Sequence, residues 1–395
     1  MTEKNKIIRN FPNKRNVPKL RFSEFTGDWK KYHLNEVAEK VSNKNNNNKI
    51  ETVFSNSAVQ GIVLQSDYFD KSIANRENLG GYYIVEPFDF VYNPRLSSTA
   101  EVGAMSVNKT NLTGLVSPLY TVFRIKESNI NIPFLEYLFK SKVWHHYMRS
   151  IANYGARDDR MNVKSEDFYN LPLAIPNVSE QSIVSTFLSL IETRVRTQKK
   201  IISHLKTSII NYREKLFSQK IRFKDENENN FPEWETKKIK DILKIGSGRD
   251  YKHLEVGTIP VYGTGGIITF VNSFLYDGET VCIGRKGTIN KPLYFDGKLW
   301  TVDTLFYTHS FNNSIPKFIF HVFQSINWKE YNEASGVPSL SKSTIENITV
   351  IIPSIKEQTK IANFLFLIDK KIETEKKILT QYEIQKKYLL SNLFV

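Results

Sequence analysis

The chain is short of several things that proteins of 395 residues commonly have. It contains one cysteine, Cys282, so no disulfide can form within it and no cysteine-based zinc cluster can be built. That usage fits a reducing compartment, and a cytoplasmic location is expected. No run of about 18 apolar residues occurs, which excludes a membrane-spanning helix. The first residues, Met1 to Lys19, are basic and polar and lack the apolar centre of a signal peptide. Acidic residues are outnumbered: 55 Lys and Arg against 41 Asp and Glu give a formal charge of +14. Such an excess favours a polyanionic partner, nucleic acid before lipid. A general abundance of Lys, Asn and Ile also raises the lysine count by itself.

The catalytic signatures are missing as well. Enzymes that methylate base amino groups hold the flipped base with an Asn/Asp-Pro-Pro-aromatic turn, and no Pro-Pro dipeptide occurs here; Asn93-Pro94-Arg95 comes nearest and fails. Gly246-Ser247-Gly248 precedes Arg249-Asp250-Tyr251 with no helix opening, so it reads as a glycine turn and not as a cofactor loop. Tyr262-Gly263-Thr264-Gly265-Gly266 lacks the Lys-Ser/Thr of a phosphate loop. Glu235-Thr236-Lys237 has a nuclease-like Glu-x-Lys spacing but no accompanying Asp. The seven histidines show no metal-ligand spacing. No catalytic residue, no metal site and no cofactor is assigned to this chain.

What is present is written twice. Pro18-Lys19-Leu20-Arg21-Phe22 resembles Gln219-Lys220-Ile221-Arg222-Phe223, and Trp29 corresponds to Trp234 at an offset of 205. The segment Asp89 to Arg95 corresponds to Glu279 to Arg285 at 190, Ile132-Pro133 to Ile315-Pro316 at 183, and Gly155 to Gly336 at 181. From Ile175-Pro176 and Ile352-Pro353 through Glu180-Gln181 and Glu357-Gln358 to Leu216-Phe217 and Leu393-Phe394, the offset stays at 177. Chance matches would scatter; from Trp29 onward the offset only falls, which is a collinear duplication with insertions in the first copy.

Each copy has two parts. After a basic tail (1–17), residues 18–175 and 219–352 are rich in aromatics, glycine and short β-prone runs. Val271 to Phe274, Glu279 to Ile283 and Leu299 to Tyr307 read as strands, broken at Asp277-Gly278 and Asp296-Gly297. Pro133 to Tyr147 and Pro316 to Tyr331 read as helices. Residues 176–218 and 353–395 are long helices. Val184, Leu188, Ile191, Val195, Gln198, Ile202 and Leu205 alternate at spacings of four and three. Ile361, Leu365, Ile368, Ile372, Glu375, Leu379 and, further on, Leu393 repeat the pattern, giving a heptad seam in each. About 38 helical residues make a rod of roughly 55 Å. The expected fold is α+β: two tandem mixed domains, each followed by a long helix, the helices pairing as an antiparallel coiled coil with Gln198 beside Glu375.

This order resembles the specificity subunits of type I restriction–modification systems. The resemblance rests on the Lys-Leu-Arg-Phe entry before a tryptophan, on Gly336, Leu340 and Ile345 ahead of Ile352-Pro353, and on Ile-Pro-x-x-x-Glu-Gln at 175–181 and 352–358. It covers nearly the whole chain after residue 17. One departure is that Gly155 and Met161 are six apart where Gly336 and Leu340 are four apart. The resemblance implies two target-recognition domains reading the halves of a bipartite site on double-stranded DNA. It also implies two modification subunits, which would use S-adenosylmethionine, and restriction subunits joining that core. Two other readings share the features: a free-standing DNA-binding protein, and a self-contained DNA methyltransferase with duplicated recognition domains.

Base reading needs paired donors and acceptors on loops beside a basic face. In the first domain these are Tyr92, Asn93 and Arg95 at a strand end, then Arg157, Arg160 and Asn162 after Gly155. In the second they are Arg249, Tyr251 and Lys252, then Tyr262 and Thr264, then Arg285 and Lys286. Arg95 and Arg285 occupy equivalent positions of the repeat.

Overall fold

A computed structural model describes residues 16–68, 76–153 and 159–395. The chain divides into two compact units, one comprising the residues up to Thr197 with Leu379–Val395, the other Gln198–Ile378. Both long helices, Val178–Phe217 and Ile355–Asn392, contribute to both units.

Each unit contains a four-stranded sheet and a second set of strands in a corresponding order, one four-stranded sheet in the second unit and two two-stranded pairs joined by a single bridge in the first. In the first, a four-stranded antiparallel sheet runs in the order Ala38–Val41, Thr121–Ile125, Phe90–Asn93, Ala104–Val107. In the second, the order is Lys244–Ser247, Leu305–His309, Thr280–Gly284, Leu293–Phe295. The second set begins with a hairpin. Phe54–Ser57 pairs with Gly61–Leu64 in the first unit, and Val256–Gly263 pairs with Gly266–Val271 in the other. The hairpin is met in parallel by the next strand, through Val53 and Leu115 in one unit and through Val261 and Trp300 in the other. That strand pairs antiparallel with Tyr83–Val85 or with Tyr276–Asp277. The duplication therefore extends through a region where the two sequences hardly match. Each unit is closed by a two-stranded pair, Lys30–His33 with Pro172–Ile175 and Glu235–Lys238 with Thr349–Ile352.

Several sequence expectations need correction. The strand expected at Val271 to Phe274 lies earlier, at Gly266–Val271, because it is the return arm of the hairpin. Leu299 to Tyr307 is two strands, Lys298–Thr301 and Leu305–His309, which belong to different sheets. Gly246-Ser247-Gly248 is the end of a strand and not a turn. A Cβ on Gly246 would stand 2.2 Å from the Tyr307 ring and one on Gly248 1.9 Å from the Val302 carbonyl, so close backbone approach requires both glycines. The two expected domain helices are each broken. Ile132–Lys140 stops before His145–Ile151, and Pro316–Ser325 before a 3-10 turn at Trp328–Tyr331. The reason is shared. The buried indoles of Trp144 and Trp328 donate to the Phe139 carbonyl (3.0 Å) and the Phe323 carbonyl (2.7 Å), taking acceptors that a continuing helix would use.

Each long helix begins in a buried clasp. Glu180 sits in the first turn, 1% exposed, and accepts from Arg21 Nε and Nη2, both at 2.8 Å, and from Trp29 Nε1 at 3.1 Å. Glu357, 0% exposed, accepts from Arg222 Nε (3.2 Å), Arg222 Nη2 (2.9 Å) and Trp234 Nε1 (3.1 Å). The neighbouring glutamine closes a second set of bonds. Gln181 accepts from Asn131 N and donates to the carbonyls of Asn129 and Pro176; Gln358 accepts from Ile315 N and donates to those of Asn313 and Pro353. The Glu-Gln of the repeated motif thus ties the entry segment, the domain helix and the long helix together, and the positive end of the helix dipole favours the carboxylate there.

The long helices pair antiparallel inside each unit. Val184, Leu188 and Ile191 share a core with Leu389, Leu393 and Phe394. Ile209 and Leu216 share another with Ile361, Leu365 and Ile372. The seam residues named above are buried or half-buried, whereas Tyr212, which the same heptad spacing puts on the seam, is 41% exposed. Gln198 Nε2 donates to the Glu375 carbonyl at 3.1 Å and to its carboxylate, which Lys371 also pairs.

Beside this seam the units differ. In the first, Glu192 accepts from the Tyr137 hydroxyl (2.9 Å), Lys140 (3.1 Å) and Lys386 (2.6 Å). In the second, Asp369 stands at the Glu192 position, and His321 and Gln324 stand at those of Tyr137 and Lys140, because the bonds of Gln181 to Asn131 and of Gln358 to Ile315 put the domain helices 184 apart and not the 183 read from their Ile-Pro pairs. His321 Nε2 stands 4.0 Å from Asp369 Oδ2, and both ring nitrogens of the fully buried His321 lack a protein partner. Burial, reinforced by Arg213, pushes His321 down to about 3.

Two predictions follow from these buried groups. Glu357→Ala leaves Arg222 and Trp234 without their acceptor, and should lower unfolding stability by about 3 kcal/mol in urea titrations. The histidine makes stability depend on pH. Between its ordinary value of 6.5 and about 3, the unfolded chain takes a proton that the folded chain refuses, so stability is lost as pH falls through that window. Burial lifts the Asp369 carboxyl, which works in the opposite sense. His321→Tyr, copying Tyr137, should flatten the acid side of a melting-temperature profile relative to the parent chain.

Candidate nucleic-acid interface

Three chain segments converge at the same place in each unit: the hairpin tip, the end of a central strand, and the loop that leads to the closing strand pair. The strand end presents an arginine, because Asn93-Pro94 and Gly284 terminate their strands just before Arg95 and Arg285.

In the first unit Arg95 is exposed and forms an antiparallel bridge with Arg160. Asn93 holds this end in shape, its Nδ2 donating to the Asn56 carbonyl (3.1 Å) and its Oδ1 accepting from Arg95 N (3.0 Å). Asn93, Arg95, Ser57, Val59, Thr99 and Tyr120 line a cleft of about 380 Å³. Burial raises the Tyr120 hydroxyl pKa, while Arg160 and Arg95 oppose the shift. Among the described residues the acid paired with Arg160 is Asp159 at 3.8 Å, too long for a tight pair. Asn162 is exposed, and its carbonyl accepts from Asn153 N. Arg157 lies outside the described residues.

Tyr92 does not join this set. It is 2% exposed, its hydroxyl donates to the Val102 carbonyl at 2.8 Å, and its ring packs against Phe168 and Trp144. The alternation along the strand Phe90–Asn93 turns it inward.

In the second unit Arg285 and Lys286 are exposed. The Arg285 guanidinium rests 5.9 Å from the Phe306 ring centroid. Arg285 O accepts from Leu340 N (2.8 Å), and Lys286 bridges Ser339, which brings the loop after Gly336 against the strand end. Arg285, Lys286, Lys342, Ser335, Gly336 and Val337 line part of a cleft of about 830 Å³. Glu333 also faces it, but its carboxylate is engaged by Ser341 N and the Thr344 hydroxyl, which hold its pKa below the ordinary carboxylate value. The cleft therefore presents three cations and one ionised carboxylate, and Lys342 also pairs with Glu346 at 3.6 Å. Thr264, at the hairpin tip, approaches Gly287: a Cβ there would lie 3.4 Å from the Thr264 hydroxyl. Tyr262 is half-buried against Phe295.

Arg249, Tyr251 and Lys252 are grouped elsewhere. Arg249 O accepts from Trp300 Nε1 (2.9 Å), Tyr251 packs on the small core around Val261 and Trp300, and Lys252 is exposed. None of the three lines the Arg285 cleft.

The sequence reading missed Tyr120, Val59, Lys342 and the Ser335–Val337 loop. The loop was detectable, because Gly155 and Gly336 correspond and candidates had been chosen only after the first. Among the described residues no group of three or more His, Cys, Asp or Glu could hold a metal ion, and no helix is long and apolar enough to cross a membrane.

Fold and clefts define a duplicated α+β protein, its repeats built around antiparallel paired helices and each opening a basic cleft at a strand end. Residues 232–383 match the type I restriction modification DNA specificity domain. The EcoprrI specificity subunit of Escherichia coli is 22% identical over 300 residues, 69% of this chain and 70% of that protein. The MjaIX specificity subunit of Methanocaldococcus jannaschii is 26% identical over 216 residues, 52% of this chain and 46% of its own length. The crystal structure of the type I restriction–modification S subunit from M. genitalium shares the fold. It has a TM-score of 0.61 and 18% identity, over 96% of this chain and 99% of that one. The chain is similar to the specificity subunits of type I restriction–modification systems and matches their DNA specificity domain over residues 232–383.

The inward position of Tyr92 has a direct consequence. Tyr92→Phe should cost about 1 kcal/mol through the lost bond to Val102, measured by denaturant unfolding, while DNA target preference stays unchanged.

Proposed function

We propose that this chain selects a bipartite sequence on double-stranded DNA for a type I restriction–modification complex and performs no bond chemistry itself. Each unit reads one half-site through the cleft at its strand-end arginine. The observation that carries this reading is the repetition of the convergence itself. Two units each bring a hairpin tip, an arginine and a closing loop together, and among the described residues neither strand-end arginine, Arg95 nor Arg285, has an acidic side chain paired with it. Counterion release on phosphates supplies affinity, and the loop side chains supply discrimination.

The paired helices are proposed to carry two modification subunits, which bind S-adenosylmethionine, and restriction subunits complete the complex in the cytoplasm. The catalytic groups belong to those partners. This accounts for the absence in the sequence of a Pro-Pro methyltransferase turn and of a phosphate loop.

The test maps methylated adenines genome-wide in cells carrying the gene, lacking it, or carrying Arg95→Ala or Arg285→Ala. A bipartite motif should appear only with the gene. Each variant should relax one half of the motif, a different half for each, at a cost of about 1–3 kcal/mol per lost base contact. If both variants relax the same half, the two-reader assignment is wrong. Methylation by the purified chain alone would refute the non-catalytic role.

A further inference from the structure

The hairpins hold a feature that neither charge nor packing accounts for. Val59 sits in the Ala58-Val59-Gln60 tip and is 79% exposed. Beyond the Thr264-Gly265 tip, Ile267 is the second residue of the return strand Gly266–Val271, paired with Tyr262, and is 54% exposed beside Ile268 at 51%. Turn positions are ordinarily filled by Gly, Asn, Asp or Ser. Here the glycines that make the turns possible, Gly61 (φ 74°) and Gly266 (φ 115°), are present, and a bare branched aliphatic chain stands beside each.

A single exposed aliphatic residue on a protein surface needs no explanation. These two differ by where they are. Their hairpins hold the same place in a corresponding strand order, and each tip abuts the repeat-equivalent arginine. Val59 lines the cleft of Arg95, and Thr264 lies against Gly287, two residues beyond Arg285. An apolar group at the hairpin that meets an arginine-bearing strand end faces a ligand that is anionic overall and apolar at one point. A DNA major groove fits that description. It admits a two-stranded β-ribbon, and the one apolar group on its base edges is the C5-methyl of thymine.

Resting on the DNA-reading function proposed above, we infer that Val59 and Ile267 are specificity-determining residues that each contact a thymine methyl in the half-site read by their own unit. The neighbouring arginine then reads a donor–acceptor edge or a phosphate while the aliphatic chain reads the methyl.

The experiment uses the full chain in the complex in which it purifies, and two random duplex pools, one made with thymidine and one with deoxyuridine, which lacks only the methyl. Bound DNA is recovered and sequenced. Removing one methyl contact should weaken preference at that position about fourfold. The parent chain should therefore enrich a motif with a thymine in each half-site from the first pool and lose that preference about fourfold in the second. Val59→Ala should abolish the difference between pools in one half-site, and Ile267→Ala in the other. Both side chains are more than half exposed, so melting temperatures should not move.

Equal preference in both pools for the parent chain overturns the inference. So does a loss of binding in the variants that leaves the thymidine-to-deoxyuridine ratio unchanged, the result expected of a wedge between base pairs. Absence of any motif in either pool refutes the DNA-reading function itself, and is distinguishable from both.

Discussion

The buried carboxylate at the start of each long helix is the constraint on which the rest depends. Glu180 and Glu357 are enclosed, and each gathers a guanidinium from the entry segment and an indole from the first closing strand or the residue before it. A charge taken out of water is tolerated only when its acceptor sites are filled. The chain before each domain must therefore return to the helix after it, and the domain between them closes as a loop. The adjacent glutamine extends the closure to the domain helix by capping Asn131 or Ile315. With both ends secured, the domain can vary its other loops while its strand ends stay in place.

The same logic explains how the clefts arise. A sheet whose strand ends are anchored presents its turns on one edge. The hairpin tip and the closing loop meet there because their strands are paired within the unit. The second unit shows this most directly, since Leu340 N on Arg285 O stitches the loop to the strand end. Phe306 beneath Arg285 gives the guanidinium an apolar rest while its face stays open.

The two copies have diverged where burial allows it. The slot beside the helix seam is filled by a tyrosine, two lysines and a glutamate in one unit, the first three all bonded to the glutamate. In the other, a shorter carboxylate and a neutral histidine stand 4.0 Å apart. Both solutions keep the helices packed, and both tie stability to protonation, since Lys140 and Lys386 hold the Glu192 carboxylate below its ordinary value in the first.

By itself, the sequence determined the duplication, the two long helices and their seam, and the residues of the clasp. Those signals are local or periodic: heptads survive in any context, and Ile-Pro-x-x-x-Glu-Gln stands out because it recurs at a constant offset. It also placed Arg95 and Arg285 at equivalent strand ends. What only the tertiary structure decided concerns direction and proximity. The period of two along Phe90–Asn93 is visible in the sequence, yet which face meets the core is set by Phe168 and Trp144, so Tyr92 went inward. Leu299 to Tyr307 reads as one strand because both pieces are β-prone; the turn at Val302 separates them because each has a partner in a different sheet. The hairpins share no readable sequence, and their equivalence emerged only from strand order. Hydrophobic period and motif spacing record which residues are buried. Which surfaces meet depends on long-range pairing, and no local pattern encodes it.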